Sequence, residues 1–204
     1  MQFHQKALYN LLRTNWLSDP AISVQPWQVA DYRTLETSEL FARLKALEIP
    51  LTEQSFLSYA ENCDSPEELT ECLWIKSEDL EGHDQAYLLL FELWRRLFPE
   101  KASLSIFCDE LDQRICLYDQ EALGDEPIQE ILRKLKDLLD EHVDRGADPE
   151  KAFQLISEHC AHDLGDFIYD YLLDLIEAGH ELTASELLGS FYEYISGIRE
   201  LLPE

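Results

Sequence analysis

The chain has 204 residues, of which 46% are hydrophobic, and a formal net charge of −26 from 42 acidic and 16 basic side chains. This composition is typical of a globular protein, because a disordered chain lacks the apolar residues needed for a core. The negative charge repels nucleic-acid backbones and anionic lipid surfaces, so we expect no nucleic acid and no membrane among the partners. No apolar run approaches the roughly 18 residues of a membrane span.

Five cysteines are spread along the chain without a CxxC pair: Cys63, Cys72, Cys108, Cys116 and Cys160. An odd number with this spacing is more typical of small buried side chains in a reducing compartment than of a disulfide framework. The first residues, MQFHQKALYNLL, lack the long apolar run and cleavage site of a signal peptide. We therefore expect a cytoplasmic protein.

Apolar residues recur at helical spacing along most of the chain, and the seven glycines allow few turns with positive φ. The predicted helices cover 3–14, 37–47, 85–98, 100–116 and 164–178, with others beginning at Pro26, Thr52, Ser65, Glu126, Asp148 and Thr183. Residues 76–84 are predicted to form an acidic loop, and 114–118 are either a helix end or a short strand. The pattern predicts an all-α array of about eight to ten antiparallel helices. We divide it into halves at 1–124 and 125–204, within one compact domain.

Two short stretches match the capping box, in which a serine or threonine and a glutamate satisfy backbone N–H groups at a helix start. The first is Ser65-Pro66-Glu67-Glu68, and the second is Thr183-Ala184-Ser185-Glu186. Both therefore predict helix starts.

Two segments repeat each other at an offset of 97 residues, since EQSFLSYAENC begins at Glu53 and EKAFQLISEHC at Glu150. A second match, at an offset of 82, pairs Leu90, Leu93, Ala102 and Ser103 with Leu172, Leu175, Ala184 and Ser185. One insertion in the first half reconciles the offsets. Chance similarity between helices and duplication of a helical-repeat unit both remain open.

The most chemically suggestive stretch runs from Glu158 to Asp166 and contains His159, His162 and Asp163. On a helix these three side chains share one face, since they lie three or four residues apart. Imidazoles and a carboxylate on one face can bind zinc or another transition metal, with His142 as a further ligand. His159, His162 and Asp163 are therefore candidate metal ligands, and the alternative is that they are ordinary surface and capping residues.

The segment His162-Asp163-Leu164-Gly165 resembles the His-Asp doublet of the HD-domain phosphohydrolases, an all-helical family of metal enzymes. The resemblance implies that an upstream histidine and a downstream aspartate complete the metal shell. The chain departs from this pattern, because His142 lies close to the doublet and Asp166 replaces a basic residue. It also has no lysine or arginine from Ala152 to Ile198, whereas phosphates usually need such partners.

No Gly-rich phosphate loop, GxSxG or HExxH motif is present, so we predict no catalytic residue and no cofactor. We expect a non-enzymatic interaction protein, such as an adaptor, a chaperone-like factor or a regulator, that binds a basic or amphipathic segment of a protein partner. The alternative is a metal-dependent phosphohydrolase at His162-Asp163. Self-association through the aromatic last helix, with Phe191, Tyr192 and Tyr194, is a third hypothesis.

Overall fold

The computed structural model describes residues 5–75, 78–101, 103–196 and 198. In these ranges it contains ten α-helices, two short 3-10 helices and no strand, which confirms the predicted all-α array. The helices are α1 (Gln5–Ser18), α2 (Thr37–Ala46), α3 (Glu53–Ala60), α4 (Pro66–Leu73), α5 (Leu80–Leu97), α6 (Leu104–Asp119), α7 (Asp125–Asp144), α8 (Pro149–Ser157), α9 (Leu164–Glu177) and α10 (Glu181–Phe191). The 3-10 helices are Pro26–Gln28 and Tyr32–Thr34.

The chain forms two compact units. The first unit is Leu8–Phe107, and the second comprises the described residues of Met1–Ala7 and Cys108–Glu204. The division at residue 107 precedes the expected one at 124, because Cys108 of α6 already contacts the backbone of α8 within the second unit. The organisation into halves at 1–124 and 125–204 stays a prediction.

In the first unit, α5 packs against α2, α3 and α4. Every residue from Ala86 to Trp94 is buried, as expected for a helix with large apolar groups on all sides. Within this segment the carboxylate of Glu92 accepts hydrogen bonds from Arg95 and Arg96. Burial of the charge is thus compensated by two guanidinium groups.

In the second unit, α7 packs against α8, and α9 packs against α10. The α7 stripe forms as predicted, and its buried residues are Ile128, Ile131, Leu132, Leu135 and Leu139. Asp148 caps α8 by accepting a hydrogen bond from the Lys151 backbone N–H. No helix in the described parts of the chain is both long enough and apolar enough to span a membrane.

Two predicted boundaries were wrong, and one open alternative is decided by the structure. An acidic loop was expected up to residue 84, but helix α5 begins at Leu80. The helix can begin there because Asp79 caps it by accepting a hydrogen bond from Gly82 N–H. Residues 114–118 lie inside α6, so the helix alternative is confirmed and the short strand is excluded. Helix α10 begins at Glu181, which places Thr183 within the helix instead of at its cap.

The first capping box is formed in part. Ser65 accepts a hydrogen bond from Glu68 N–H, but the Glu68 carboxylate accepts from the backbone of Asp64. The result still satisfies two backbone donors at the start of α4. The charge of Glu68 in the first turn also suits the helix dipole.

Positive φ occurs at four described positions, and glycine fills only two of them. Gly146 and Gly179 follow α7 and α9 with φ of 97° and 80°. Glu48 and Glu121 occupy the same conformation after α2 and α6, with φ of 69° and 56°. The few glycines of this chain are thus supplemented by glutamates at helix ends, where a Cβ is costly.

The first repeat match joins two helices with similar ends. Thr52 caps α3 and Asp148 caps α8, each by accepting a hydrogen bond from the third residue of its helix. Cys63 and Cys160, which follow these helices, are both buried. Ala102 of the second match lies outside the described residues, as does Phe3 of the first predicted helix. Duplication of a helical unit stays a prediction.

Candidate functional site

The predicted metal ligands do not share a helical face, because residues 158–163 form the connection between α8 and α9. His159 lies beyond the end of α8, with its Nδ1 at 3.0 Å from the carbonyl oxygen of Leu155. Asp163 caps α9 and accepts hydrogen bonds from the N–H groups of Gly165 and Asp166. This corrects the expectation of one continuous face, since the capping aspartate begins a new helix there.

His162 instead turns towards α6. Its Nδ1 lies 2.9 Å from Oδ1 of Asp112, a carboxylate that is 3% exposed. The same carboxylate accepts hydrogen bonds from the backbone N–H groups of Ala161 and His162 at 2.8 and 3.1 Å. Burial acts to lower the pKa of His162, but the hydrogen bond and charge of Asp112, with the charge of Asp119, outweigh it and raise that pKa. Asp112 therefore fixes the α8–α9 connection to α6.

Among the described residues, no group of three or more His, Cys, Asp or Glu side chains could hold a metal ion. Metal binding by His159, His162 and Asp163 stays a prediction without structural support. The bonds described above already use His162 and Asp163 for positioning the loop and capping the helix.

A groove in the second unit lies between the last turns of α6 and the length of α9. Its cavity has a volume of about 240 Å³. We call it the acidic groove and define it by its aromatic residues, Tyr118, Phe167 and Tyr171, and its acidic residues, Asp119, Asp163, Asp166, Asp170 and Asp174. His162 lies at its lining as well. A second cavity of about 480 Å³ shares Tyr118, Asp119 and Asp174 and extends the acidic lining to Glu121 and Asp125.

The three aromatic rings of the groove pack on one another. The Tyr118 ring meets the rings of Tyr171 and Phe167 edge-on, with centroid separations of 5.3 and 6.2 Å. Phe167 and Tyr171 are stacked at 6.1 Å and are both buried. The Tyr118 hydroxyl donates a hydrogen bond to Asp174 at 3.2 Å. The aromatic part of the groove is therefore held in place before any ligand binds.

The groove has a uniformly negative rim. Its exposed acids are Asp119, Asp163, Asp166, Asp170 and Asp174, and within the described part of the chain no lysine or arginine lines either cavity. Burial, followed by the charges of Asp174 and Asp125, raises the pKa of Tyr118. Burial also raises the pKa of Tyr171, to about 12. Both phenols are therefore neutral near pH 7, and the negative charge of the groove belongs to its aspartates.

No protein-family model, curated protein or solved structure matches this chain. The groove must therefore be interpreted from its own chemistry. In the sequence, Asp166 was interpreted only as a departure from the metal-site pattern. Their spacing of three or four residues, at Asp163, Asp166, Asp170 and Asp174, was the signal available. Tyr118 and Asp112 were missed, because they approach this face from α6 only in the folded chain.

Proposed function

We propose that this chain is a non-enzymatic interaction protein that binds a basic segment of a protein partner in the acidic groove. The observation that carries this proposal is a preformed aromatic cluster with exposed aspartates beside it, and with no lysine or arginine among the described residues of the lining. Arginine and lysine fit such a site, since both bind carboxylates and both are attracted to the face of an aromatic ring.

A lysine of this chain is already bound by a tyrosine and an aspartate in the manner that we propose for the partner. In the second unit, Lys136 Nζ lies 2.6 Å from Asp140 and 5.4 Å from the centroid of the Tyr194 ring. The Tyr194 hydroxyl donates a hydrogen bond to the same Asp140 carboxylate. Hydrogen bonding to Lys136, and then to Tyr194, lowers the pKa of Asp140. One tyrosine–aspartate pair thus holds a lysine by charge and by ring contact.

The groove contains a second tyrosine–aspartate pair of the same kind. The Tyr118 hydroxyl donates a hydrogen bond to Asp174, as the Tyr194 hydroxyl does to Asp140. Among the residues that the structure describes, no lysine or arginine lines the groove beside Tyr118 and Asp174. A cation supplied by a partner would complete the pattern, and a phosphate-bearing partner would be repelled.

We place this activity in the cytoplasm. All five cysteines are free thiols in the structure, and Cys63, Cys108 and Cys160 are buried. Small buried thiols of this kind are typical of proteins from a reducing compartment. The phosphohydrolase alternative gains no support from the described residues, because no cluster among them could hold its metal.

Fluorescence anisotropy with a labelled peptide of alternating arginine and glycine tests the proposal. The double variant Asp170→Asn/Asp174→Asn removes two charges from the groove, and we expect it to bind the peptide about tenfold more weakly. Tyr118→Leu removes a ring but no charge, and we expect a loss of about threefold. Binding to the unchanged protein should weaken as salt rises above about 0.1 M.

The matched control is Asp137→Asn/Asp144→Asn, which removes two exposed charges from α7 in the same unit. We expect it to change the affinity by less than about twofold, since it reduces the net negative charge by the same amount but leaves the groove intact. Equal weakening by the two double variants would show that any negative surface attracts the peptide, and the proposed function would then be wrong.

A further inference from the structure

Helix α9 carries an exposed apolar stripe beside its acidic stripe. Tyr169, Leu173 and Ile176 are spaced by four and three residues, so they share one face of the helix. Their exposed fractions are 41%, 36% and 45%. Large apolar side chains exposed in a row mark a surface that another apolar group can cover.

The acidic stripe runs along the adjoining face of the same helix. Asp166, Asp170 and Asp174 are spaced by four residues and are all exposed. At about 100° per residue, this stripe lies between the apolar stripe on one side and the buried face with Phe167 and Tyr171 on the other. Around the axis of α9, the surface therefore changes from exposed apolar side chains to carboxylates and then to the aromatic cluster.

We propose that the partner segment is an amphipathic helix with a basic flank that lies along α9. This inference rests on the proposed function and specifies the partner. The apolar face of the segment covers Tyr169, Leu173 and Ile176, while its lysines or arginines reach the aspartates of the groove. Helix α9 has 14 residues and is about 21 Å long, which is enough for three turns of a partner helix.

The charge of the acidic stripe favours an amphipathic helix with a basic flank over a second copy of the chain as the partner. Two copies joined through α9 would bring two rows of aspartates together, and each chain carries a net charge of −26. Like charges opposite one another oppose association. A purely apolar segment would leave the carboxylates without partners. An apolar face with a basic flank satisfies both stripes at once.

Two labelled peptides of the same composition and of about 18 residues test this inference, since shorter helices are marginal in water. In the first, leucines recur every third or fourth residue and lysines follow on one flank. In the second, the order is scrambled so that no apolar face forms. We expect fluorescence anisotropy to show about tenfold tighter binding of the first peptide to the unchanged protein.

The variant Leu173→Gln/Ile176→Gln should remove this preference for the amphipathic peptide but keep the weaker binding of the scrambled one. Its control, Leu17→Gln/Leu155→Gln, removes two leucines of similar exposure from α1 and α8 and should retain the preference. Thermal unfolding of each variant verifies that it is folded. Glutamine is used because it is compatible with a helix.

Three outcomes would overturn the inference, and the third would remove the proposed function as well. If both peptides bind equally and only the Asp170→Asn/Asp174→Asn variant weakens them, the proposed function stands but the partner is not amphipathic. If sedimentation of the protein alone shows a dimer that Leu173→Gln/Ile176→Gln abolishes, a second copy occupies the stripe. Absence of binding by either peptide would contradict the proposed function itself.

Discussion

The carboxylate of Asp112 on α6 lies 2.9 Å from the imidazole Nδ1 of His162, which is 50 residues further along the chain. It also accepts hydrogen bonds from two backbone N–H groups of the connection between α8 and α9. This single buried side chain fixes the start of α9, and therefore the position of every acid that lines the acidic groove from that helix.

Replacement of Asp112 should destabilise the protein strongly. In Asp112→Ala the N–H groups of Ala161 and His162 lose their acceptor in a partly buried setting. We expect a loss of about 3 kcal/mol in the free energy of unfolding, measured by urea denaturation. Asp137→Ala, an exposed aspartate on α7, serves as the control and should change the value by less than about 0.5 kcal/mol. Similar losses in both variants would contradict the role assigned to Asp112.

The His162–Asp112 pair should also make stability depend on pH. The folded-state pKa of His162 is raised above its ordinary value of 6.5, so the folded protein binds the proton more tightly than the unfolded chain. The resulting stabilisation is fully present below pH 6.5 and is lost as the pH rises through the folded-state pKa. Urea denaturation at several pH values should show this decline in the unchanged protein but not in His162→Gln. His180→Gln, which alters an exposed histidine, should retain the decline, and its absence from the unchanged protein would contradict the assignment.

Two helical glycines should respond to alanine in opposite directions. A Cβ on Gly82 would lie 2.6 Å from a ring carbon of Trp74 and 2.4 Å from the capping carboxylate of Asp79. We expect Gly82→Ala to cost about 2 kcal/mol, because the indole cannot move aside cheaply. At Gly189 of α10 a Cβ would meet nothing within 4 Å. Gly189→Ala should therefore gain about 1 kcal/mol from helix propensity. Thermal unfolding measures both, and a gain at Gly82 would contradict the packing at the start of α5.

Two arginine–glutamate pairs at a spacing of four residues should differ in strength. Arg96 donates to Glu92, which is 3% exposed, and to the carbonyl oxygens of Tyr32 and Arg33. Arg96→Ala should cost about 4 kcal/mol, because it removes a partner of a buried charge. Arg43→Ala breaks the exposed pair with Glu39 and should cost less than about 0.5 kcal/mol. Chemical denaturation of the two variants provides the comparison, and equal costs would contradict it.

The features that could be predicted from the sequence are those set by near neighbours in the chain. The stripe of α7 needs only the spacing of Ile128, Ile131 and Leu135, and the cap of α8 needs only Asp148-Pro149. The start of α5 was missed because Asp79 is one acid among several, and its capping role depends on a backbone conformation, with φ of −98° and ψ of 81°, that the pattern does not contain.

The acidic groove could be predicted only in part, for a different reason. The acids of α9 are visible in the sequence at helical spacing. Their relation to Tyr118 depends on the packing of α6 against α9, and Tyr118 and Asp174 are 56 residues apart. Nothing in the local pattern around His162 indicated that its partner is a buried aspartate of α6. The sequence pattern therefore drew attention to the segment that leads into α9, and its interpretation as a metal site stays a prediction.

Self-association through the last helix also depends on side-chain direction. Phe191 is 0% exposed and Tyr194 is 2% exposed, so both face the core of the second unit. Only Tyr192 of the three proposed aromatics is exposed, at 44%. Helix α10 ends at Phe191, so helical spacing does not apply to Tyr192 and Tyr194. The sequence alone therefore does not indicate which of the three side chains point outward. Association through this segment stays a prediction.

An NMR titration of isotope-labelled protein with the alternating arginine–glycine peptide tests the central claim most directly. We expect the backbone signals that shift to belong to the end of α6, around Tyr118 and Asp119, and to α9, and the side-chain signals of Tyr118 to shift with them. Shifts distributed over acidic residues of both units, or confined to Leu8–Phe107, would contradict the claim that the acidic groove is the binding site.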